Sequence, residues 1–398
     1  MAANAARRAM KLVVVSYKVC WESPDSASGY ATNGGFALQI RALSELFDET
    51  RLVVPIARVP RPAGEVKISG RKLSVVPIEE PVGEDLPRKL RLPGWFLRNI
   101  TTVAREVRNA DAVHTPVPGD IGTIGMLVAM ALRKRLFIRY CGNWLVRRTM
   151  TDRFLGWLLQ RVAGSRTVVL TTGGGGNPPS LRNSSVRWIF ATSLTESELE
   201  KYATVRADPA PNGPKLIIAC RQETKKGTGR VIESLRLLEG DYPGITFDVV
   251  GDGSALPEFR EMAKRLKVAD RVRFFGNVDH AGVMELLTAA DIFCFPTTSS
   301  EGFPKAVLEA LACGLPVVST RVSILGELLS DGGGVLLDDT SPSAIALAIR
   351  SCLDDRERYR ALSSAAVRTA SRYSLERWRD TIGSLLVIYW GPLRSLHA

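Results

Sequence analysis

An α/β fold built from two Rossmann-like, doubly wound domains is predicted by three observations. The chain has 398 residues, about twice one ordinary domain, with 45% hydrophobic and 24% charged residues, the balance of a folded chain with substantial cores. Short β-branched runs alternate with helical stretches through both halves, the pattern of parallel strands covered on both faces. Between the halves, Pro209, Pro211, Gly213 and Pro214 gather ahead of a fresh strand, which marks a boundary around 192–214.

In chain order, a first strand is expected at 12–16, followed by strands at 52–55, 73–77, 112–114, 136–140 and 167–170. After a long loop, Thr32-Asn33-Gly34-Gly35-Phe36 opens a helix running through Phe47. Two glycines at a helix start permit close backbone approach to an anionic group. The run Gly173 to Gly176 reads as a flexible loop. From Lys215 onward, strands at 216–219, 246–250, 272–275, 292–295 and 317–319 alternate with helices near 228–238, 255–266, 281–290 and 304–312. Residues 342–392 read as helices, the last beginning near Ser374. The division expected is residues 1–195, residues 196–373 and a C-terminal helix in 374–398.

The net charge is +12, and the excess lies in residues 1–190, which hold 28 Lys and Arg against 14 Asp and Glu, while the remainder holds 25 against 27. A basic half suits nucleic acid, an anionic membrane surface or a phosphate-bearing substrate. Interleaved aromatic platforms and nucleic-acid motifs are lacking, so no nucleic acid is expected. The segment Pro87-Arg-Lys-Leu-Arg-Leu-Pro-Gly-Trp95-Phe96-Leu97-Arg98 sets four cations beside Trp95 and Phe96. It reads either as an amphipathic seat on anionic headgroups or as a helix with Trp95 packed inward and its arginines solvated.

Six cysteines without any C-x-x-C pair suit reduced thiols in a cytosol. Arg7 and Arg8 are followed by no long apolar segment, so no signal peptide is read. The most apolar helical run, 123–132, is far short of the roughly 20 residues that cross a bilayer. A cytoplasmic location follows, at the inner face of the membrane if the basic half seats on lipid. The three histidines His114, His280 and His397 have no ligand spacing, and no Asp-x-Asp follows a strand, so no metal site is expected.

The most informative stretch is Pro296-Thr-Thr-Ser-Ser-Glu301-Gly302-Phe303-Pro304-Lys-Ala-Val-Leu-Glu309-Ala-Leu-Ala-Cys313-Gly314. A strand ends near Phe295, a polar loop follows, and Pro304 is expected at the first helical position, where its missing N–H costs nothing. Amides at such a helix start leave the carboxyl end of the sheet, where doubly wound folds bind ligands and diphosphate is favoured. Glu309 stands about five residues into the helix, roughly 7.5 Å along its axis. Two carboxylates facing phosphate would repel it, so Glu301 and Glu309 more naturally accept hydrogen bonds from hydroxyls on either side. A second strand-loop-helix carries Arg221-Gln-Glu-Thr-Lys225-Lys226-Gly227, cations suited to charge on a departing diphosphate. Lys225 and Lys226 are alternative registers for the lysine.

On these residues the sequence resembles the retaining, nucleotide-sugar-dependent glycosyltransferases of GT-B fold. The Glu301-x7-Glu309 signature, the Arg221 to Lys226-Gly227 spacing, Val249-Val-Gly251-Asp-Gly253, Phe275-Gly276-Asn277-Val278 and Ala290-Asp291 fall in the family's order, and the likeness is strong over about 215–340. The resemblance implies two Rossmann-like domains facing across a cleft, with the C-terminal helix returning to the first. It also implies a UDP- or GDP-sugar donor and no separate cofactor. Glu301, with Gly302, Phe303 and Pro304, would hold the donor sugar, Glu309 the ribose, and Arg221 and Lys226 the diphosphate. Asn277 and Val278 would face the base, Gly251 would let the chain turn at the pocket, and Gly34 and Gly35 would approach the donor from the other domain. Many relatives have two histidines at the place of Asp111-Ala-Val-His114-Thr-Pro116; here Pro116 replaces the second, and His114 stands as a catalytic contact or as a histidine satisfying local hydrogen bonds.

The activity implied is metal-independent hexosyl transfer, with retention, to a glycan or lipid-linked acceptor in cell-envelope assembly. The alternatives are a nucleotide-sugar epimerase or hydrolase on the same fold, which would release free sugar without an acceptor, and a non-catalytic scaffold.

Overall fold

The computed structural model describes residues 9–60, 64–81, 83, 85–146, 149–209, 213–300 and 302–393. Arg7, Arg8, Pro211, Glu301 and His397 lie outside the described residues, as do the side chains of Pro87 and Lys89. The chain forms two compact units: Met1–Thr172, Asn177–Ile189 and Leu375–Ala398 make the first, Gly173–Gly176 and Phe190–Ser374 the second.

Unit 1 carries a ten-stranded sheet. Its strands are β1 (Lys11–Val15), β2 (Cys20–Glu22), β3 (Tyr30–Asn33), β4 (Glu49–Ala57), β5 (Glu65–Lys67), β6 (Leu73–Glu79), β7 (Ala112–Val117), β8 (Arg135–Tyr140), β9 (Thr167–Thr172) and β10 (Val186–Ile189). The parallel body runs β10-β9-β8-β7-β1-β4-β6, so successive strands are laid outward in both directions from β1. The helices are α1 (Phe36–Ser44), α2 (Asp85–Arg108), α3 (Asp120–Ala131) and α4 (Met150–Val162). One apolar core joins Trp95 and Val103 of α2, Met126 of α3 and Leu155 and Leu159 of α4 to Val13, Val113 and Ile138 of the sheet; these three helices therefore share one face.

Two features of unit 1 differ from the sequence expectation. The three-residue strands β2 and β5 flank β3 antiparallel, and β2 joins this extension to β4 in parallel; the strands are too short to leave a periodic signal. Strand β7 also continues through Pro116 to Val117. The ladder with β1 ends at His114, and β8 alone accompanies Pro116, so the proline stands where a neighbour has already dropped away and its missing N–H is tolerated.

Unit 2 contains α5 (Glu196–Tyr202), β11 (Lys215–Ala219), a 3-10 turn at Thr224–Lys226, α6 (Thr228–Leu238), β12 (Thr246–Val250), α7 (Leu256–Arg265), β13 (Val272–Gly276), α8 (His280–Ala289), β14 (Ile292–Phe295), α9 (Lys305–Ala312), β15 (Val317–Thr320), α10 (Leu325–Leu328), β16 (Gly334–Leu337), α11 (Pro342–Leu353) and α12 (Arg356–Ala370). Its six strands are all parallel in the order β13-β12-β11-β14-β15-β16. The order reverses between β11 and β14, and a crevice at their carboxyl ends is the usual ligand position in such sheets. The glycine run belongs to this unit and touches it at one point: a Cβ on Gly174 would meet Ile324 Cδ1 at 2.2 Å, whereas one on Gly175 or Gly176 would meet nothing within 4 Å.

The last helix, α13 (Leu375–Trp390), belongs to unit 1. It buries Trp378, Ile382 and Leu386, brings Gly383 against Leu46 and pairs Arg379 with Glu45 of the segment following α1.

Candidate active site

Loop geometry at the carboxyl ends of β11, β12 and β13 creates a cavity of about 720 Å³ lined by Cys220, Arg221, Gly251, Asp252, Gly253, Asn277, Val278, Val283, Ala306 and Glu309, among others. Gln222, fully buried, sets this geometry. Its amide donates to the carbonyls of Cys220 at 3.1 Å and Val250 at 2.9 Å, and its oxygen accepts from Thr228 Oγ1 at 2.7 Å. The loop after β11 is thereby clamped to the end of β12 and the start of α6. Gly251 has φ 105°, and a Cβ there would lie 2.0 Å from the Cys220 carbonyl oxygen; one on Gly253 would lie 2.3 Å from that of Gln222. Both positions require glycine on packing grounds.

Helix α9 supplies the buried carboxylate. It begins at Lys305, one residue later than the sequence suggested. Pro304 has extended backbone (φ −81°, ψ 91°) and acts as N-cap, its carbonyl accepting from Val307 N at 3.1 Å and Leu308 N at 3.3 Å. Pro304 has no side-chain group with which to cap this end. The far end closes by a Schellman arrangement: Leu315 N donates to Ala310 O at 3.0 Å, Gly314 N to Leu311 O at 3.0 Å, and Gly314 takes φ 69°. Both ends fixed, α9 aims Glu309 and Ala306 into the cavity.

The Glu309 side chain is only 13% exposed. Desolvation by burial pushes its carboxyl up, His280 and Lys305 pull it down, and Glu198 pushes it up again. The imidazole of His280 stands between two carboxylates, Nδ1 at 3.7 Å from Glu309 Oε1 and Nε2 at 3.8 Å from Glu198 Oε1. Asp279 caps α8 by accepting from Gly282 N at 2.8 Å, which holds His280 at the first helical position.

Arg221, 76% exposed, reaches the cavity and touches Glu223 at 3.3 Å. Lys226 is half-buried, its Nζ 6.0 Å from the centre of the Phe295 ring at the end of β14, whereas Lys225 is exposed and its carbonyl accepts from Thr298 N at 2.9 Å. Phe303 is buried against Phe190 and Tyr373, with ring centres 6.1 and 5.5 Å away. The structure therefore brings Arg221, Gly251, Asn277, Val278 and Glu309 around one cavity; Lys226, Phe303 and Pro304 flank the neighbouring β14–α9 turn, and Glu301 lies outside the described residues. Gln222 and His280 were missed in the sequence, Gln222 because a loop glutamine carries no pattern and His280 because its partners are distant in sequence.

In unit 1, Gly34 takes φ 69° and Gly35 is the N-cap of α1, with no side-chain cap and no acidic residue in the first turn. His114 is 1% exposed, stacked on Phe137 at 4.3 Å, with Nδ1 3.0 Å from the Phe137 carbonyl oxygen. Burial first, and then nearby Arg139, hold its imidazole neutral down to about 3. The ring offers no surface to a ligand. Trp95 is buried and donates to the Glu79 carbonyl at 2.7 Å, while Arg88 and Arg98 pair with Asp120 and Glu79. A second cavity, of about 980 Å³, lies beside α2 and is lined by Arg58, Glu80, Arg91, Trp95 and Arg98, among others. Among the described residues no three metal-ligating side chains gather, and no helix is long and apolar enough to cross a membrane.

Residues 204–369 match the model of the family described as Glycosyl transferases group 1. Among curated proteins, the chain is 30% identical over 203 residues to phosphatidyl-myo-inositol mannosyltransferase of Mycobacterium tuberculosis, covering 48% of this chain and 51% of that protein. It is 32% identical over 148 residues to glycogen synthase of the same species, covering 37% and 36%. The chain thus spans about a third to a half of the length of these relatives. Among solved structures, Anabaena HepE in complex with UDP and glucose aligns with a TM-score of 0.67 at 17% identity over 95% of this chain and all of that one.

Proposed function

We propose, from the premise that the chain is a group 1 glycosyltransferase of GT-B architecture, that it moves a hexosyl group from a nucleoside diphosphate sugar to a hydroxyl acceptor with retention of anomeric configuration. The observation that carries this reading is the cavity of unit 2, where a desolvated carboxylate on a rigid helix faces the backbone ends of three parallel strands. A ribose diol donating to Glu309 would satisfy that carboxylate in its charged form. Arg221 and Lys226 would neutralise the diphosphate, and backbone at Asn277 and Val278 would meet the base edge. Gly302, Phe303 and Pro304 would present the start of α9 to the donor sugar, together with Glu301. The leaving diphosphate would accept the proton of the attacking hydroxyl on the same face, so that the protein contributes positioning and fixed charge. Cations and helix amides take the part of a divalent ion, and metal-independent transfer is proposed on that ground.

A UDP- or GDP-sugar is the proposed donor, with UDP taken first because HepE, similar in fold, was solved with UDP and with UDP-glucose. A glycan or lipid-linked acceptor in cell-envelope assembly is proposed from the basic composition of unit 1 and the phosphatidyl-myo-inositol acceptor named for one relative. Gly34 and Gly35 open the uncapped start of α1 as an anion-tolerant approach for donor or acceptor phosphate. His114 acts from within the sheet by holding β7 to β8. A cytoplasmic location suits the six free cysteines.

Calorimetry with UDP, GDP, ADP and their sugar conjugates, in the presence of a chelator, tests the donor reading. Selective UDP binding that disappears in Glu309→Ala is the expected result, and no binding to any nucleotide overturns it. Free sugar released without an acceptor would favour the hydrolase or epimerase reading.

A further inference from the structure

Helix α4 is apolar on two opposite sides. Leu155 and Leu159 enter the core of unit 1, as amphipathic packing requires. Met150, Phe154 and Trp157 recur at helical spacing on the side turned away from that core, 78%, 58% and 52% exposed, and Phe154 and Trp157 lie against each other with ring centres 5.9 Å apart. Earlier in the chain than α4, Leu145 and Val146 are exposed as well. Beyond its C-terminal turn, exposed Leu181 sits on a loop that Ser180 and Asn183 tie to Gln160 and Ala163. Arg161 ends the stripe one turn after Trp157, and Arg153 and Arg182 flank it; all three are exposed, with no ion-pair partner among the described residues. The helix's one acidic residue, Asp152, is engaged in a capping box with Thr149.

We infer that this stripe is a docking surface for an anionic lipid bilayer, with α4 lying in the headgroup plane. An exposed aromatic pair beside an exposed methionine marks an interaction surface, and its flanking by arginine matches the interfacial helix. A lipid leaflet of negative charge satisfies both halves of the chemistry, the rings entering the acyl boundary and the guanidinium groups staying with phosphate. Helix α2 is the weaker candidate, because its tryptophan is inside and Arg88 and Arg98 are paired. The inference does not depend on the donor site: vesicle binding and nucleotide binding are read separately.

The test is flotation of the full chain with vesicles of phosphatidylcholine alone and of equimolar phosphatidylcholine and phosphatidylglycerol, at low and high salt. Binding to the anionic vesicles that weakens with salt is expected. Phe154→Glu with Trp157→Glu should lower the partition coefficient by about tenfold or more, Trp157→Phe should retain it, and Leu90→Glu with Leu97→Glu on α2 should leave it near the parent value. UDP affinity and Tm serve as the fold control. Failure of the parent to float at low salt, equal binding to neutral vesicles, or parental binding by the double α4 variant would each overturn the inference. So would concentration-dependent self-association lost in that variant without vesicle binding, which would assign the stripe to a protein contact.

Discussion

Glu309 Oε1 lies 3.7 Å from His280 Nδ1, and this contact is the principal charge relief for a carboxylate that burial drives toward its neutral form. Lys305, one turn earlier on α9, adds to the relief, and Glu198 opposes it. The cavity therefore holds a carboxylate whose ionisation costs stability in the empty protein and is recovered when hydroxyl donors arrive.

Glu309→Gln should weaken nucleotide binding and stabilise the empty protein. A carboxyl raised in the folded state contributes stability below its ordinary range, and that contribution is lost as pH rises through the raised value. The variant, which never ionises, should gain on the parent as pH climbs from acid to neutral, by ~1–4 °C in Tm at pH 7, while UDP affinity falls about 10- to 100-fold. Calorimetry and a melt series over pH check both; a parental affinity would end the ribose assignment.

Arg221→Ala should weaken UDP binding by roughly 10- to 100-fold with no change in Tm beyond ~1 °C, because the side chain is largely solvated. Arg221→Lys should recover part of the affinity, since one point charge replaces a bidentate fork. Titrations at two ionic strengths would show a flatter salt dependence in the alanine variant.

Gly251→Ala forces a Cβ to within 2.0 Å of the Cys220 carbonyl oxygen at φ 105°. A loss of ~2–4 kcal/mol is expected in denaturant unfolding, together with weakened UDP binding. Gly276→Asn is the control: φ is 66° with no heavy atom within 4 Å, so asparagine should be accommodated with less than ~1 kcal/mol of loss.

His114→Phe should keep the stack on Phe137 and flatten the acid limb of stability. An imidazole held neutral gives stability that is present above 6.5 and lost as pH falls toward about 3. The parent should lose on the order of a few kcal/mol across that window relative to the variant. Urea melts at pH 4 and pH 7 measure the difference, and parallel curves would contradict the burial account.

Parallel pairing in unit 2 was legible because each β-branched run is bounded by turns, and loop chemistry put the starts of α6 and α9 to within a residue, Pro304 being the N-cap of α9 and not its first helical residue. The cavity residues Arg221 and Glu309 were legible through spacing to other residues in the same motif. What was not legible depended on distant partners. Trp95 beside four cations looks amphipathic until the Glu79 carbonyl is seen to accept its indole N–H. The alternation of Leu155 with Phe154 and Trp157 satisfies a buried helix as well as a two-sided one, so only the packing of α4 on the sheet tells the faces apart. His280 has no signal at all without Glu198 and Glu309 placed on either side of it.

The chain supplies α13 to unit 1 only after all of unit 2 has been made. During synthesis the ribosome, at 5–20 residues per second, would leave the α1 face of the first sheet without Trp378, Ile382 and Leu386 for roughly 10–40 s. Unit 2 can close its core in that interval, whereas unit 1 must wait with apolar surface open to chaperones or to neighbouring nascent chains. A premature stop between Ser374 and Trp390 would spare every cavity residue of unit 2 and still strand the basic unit unfinished.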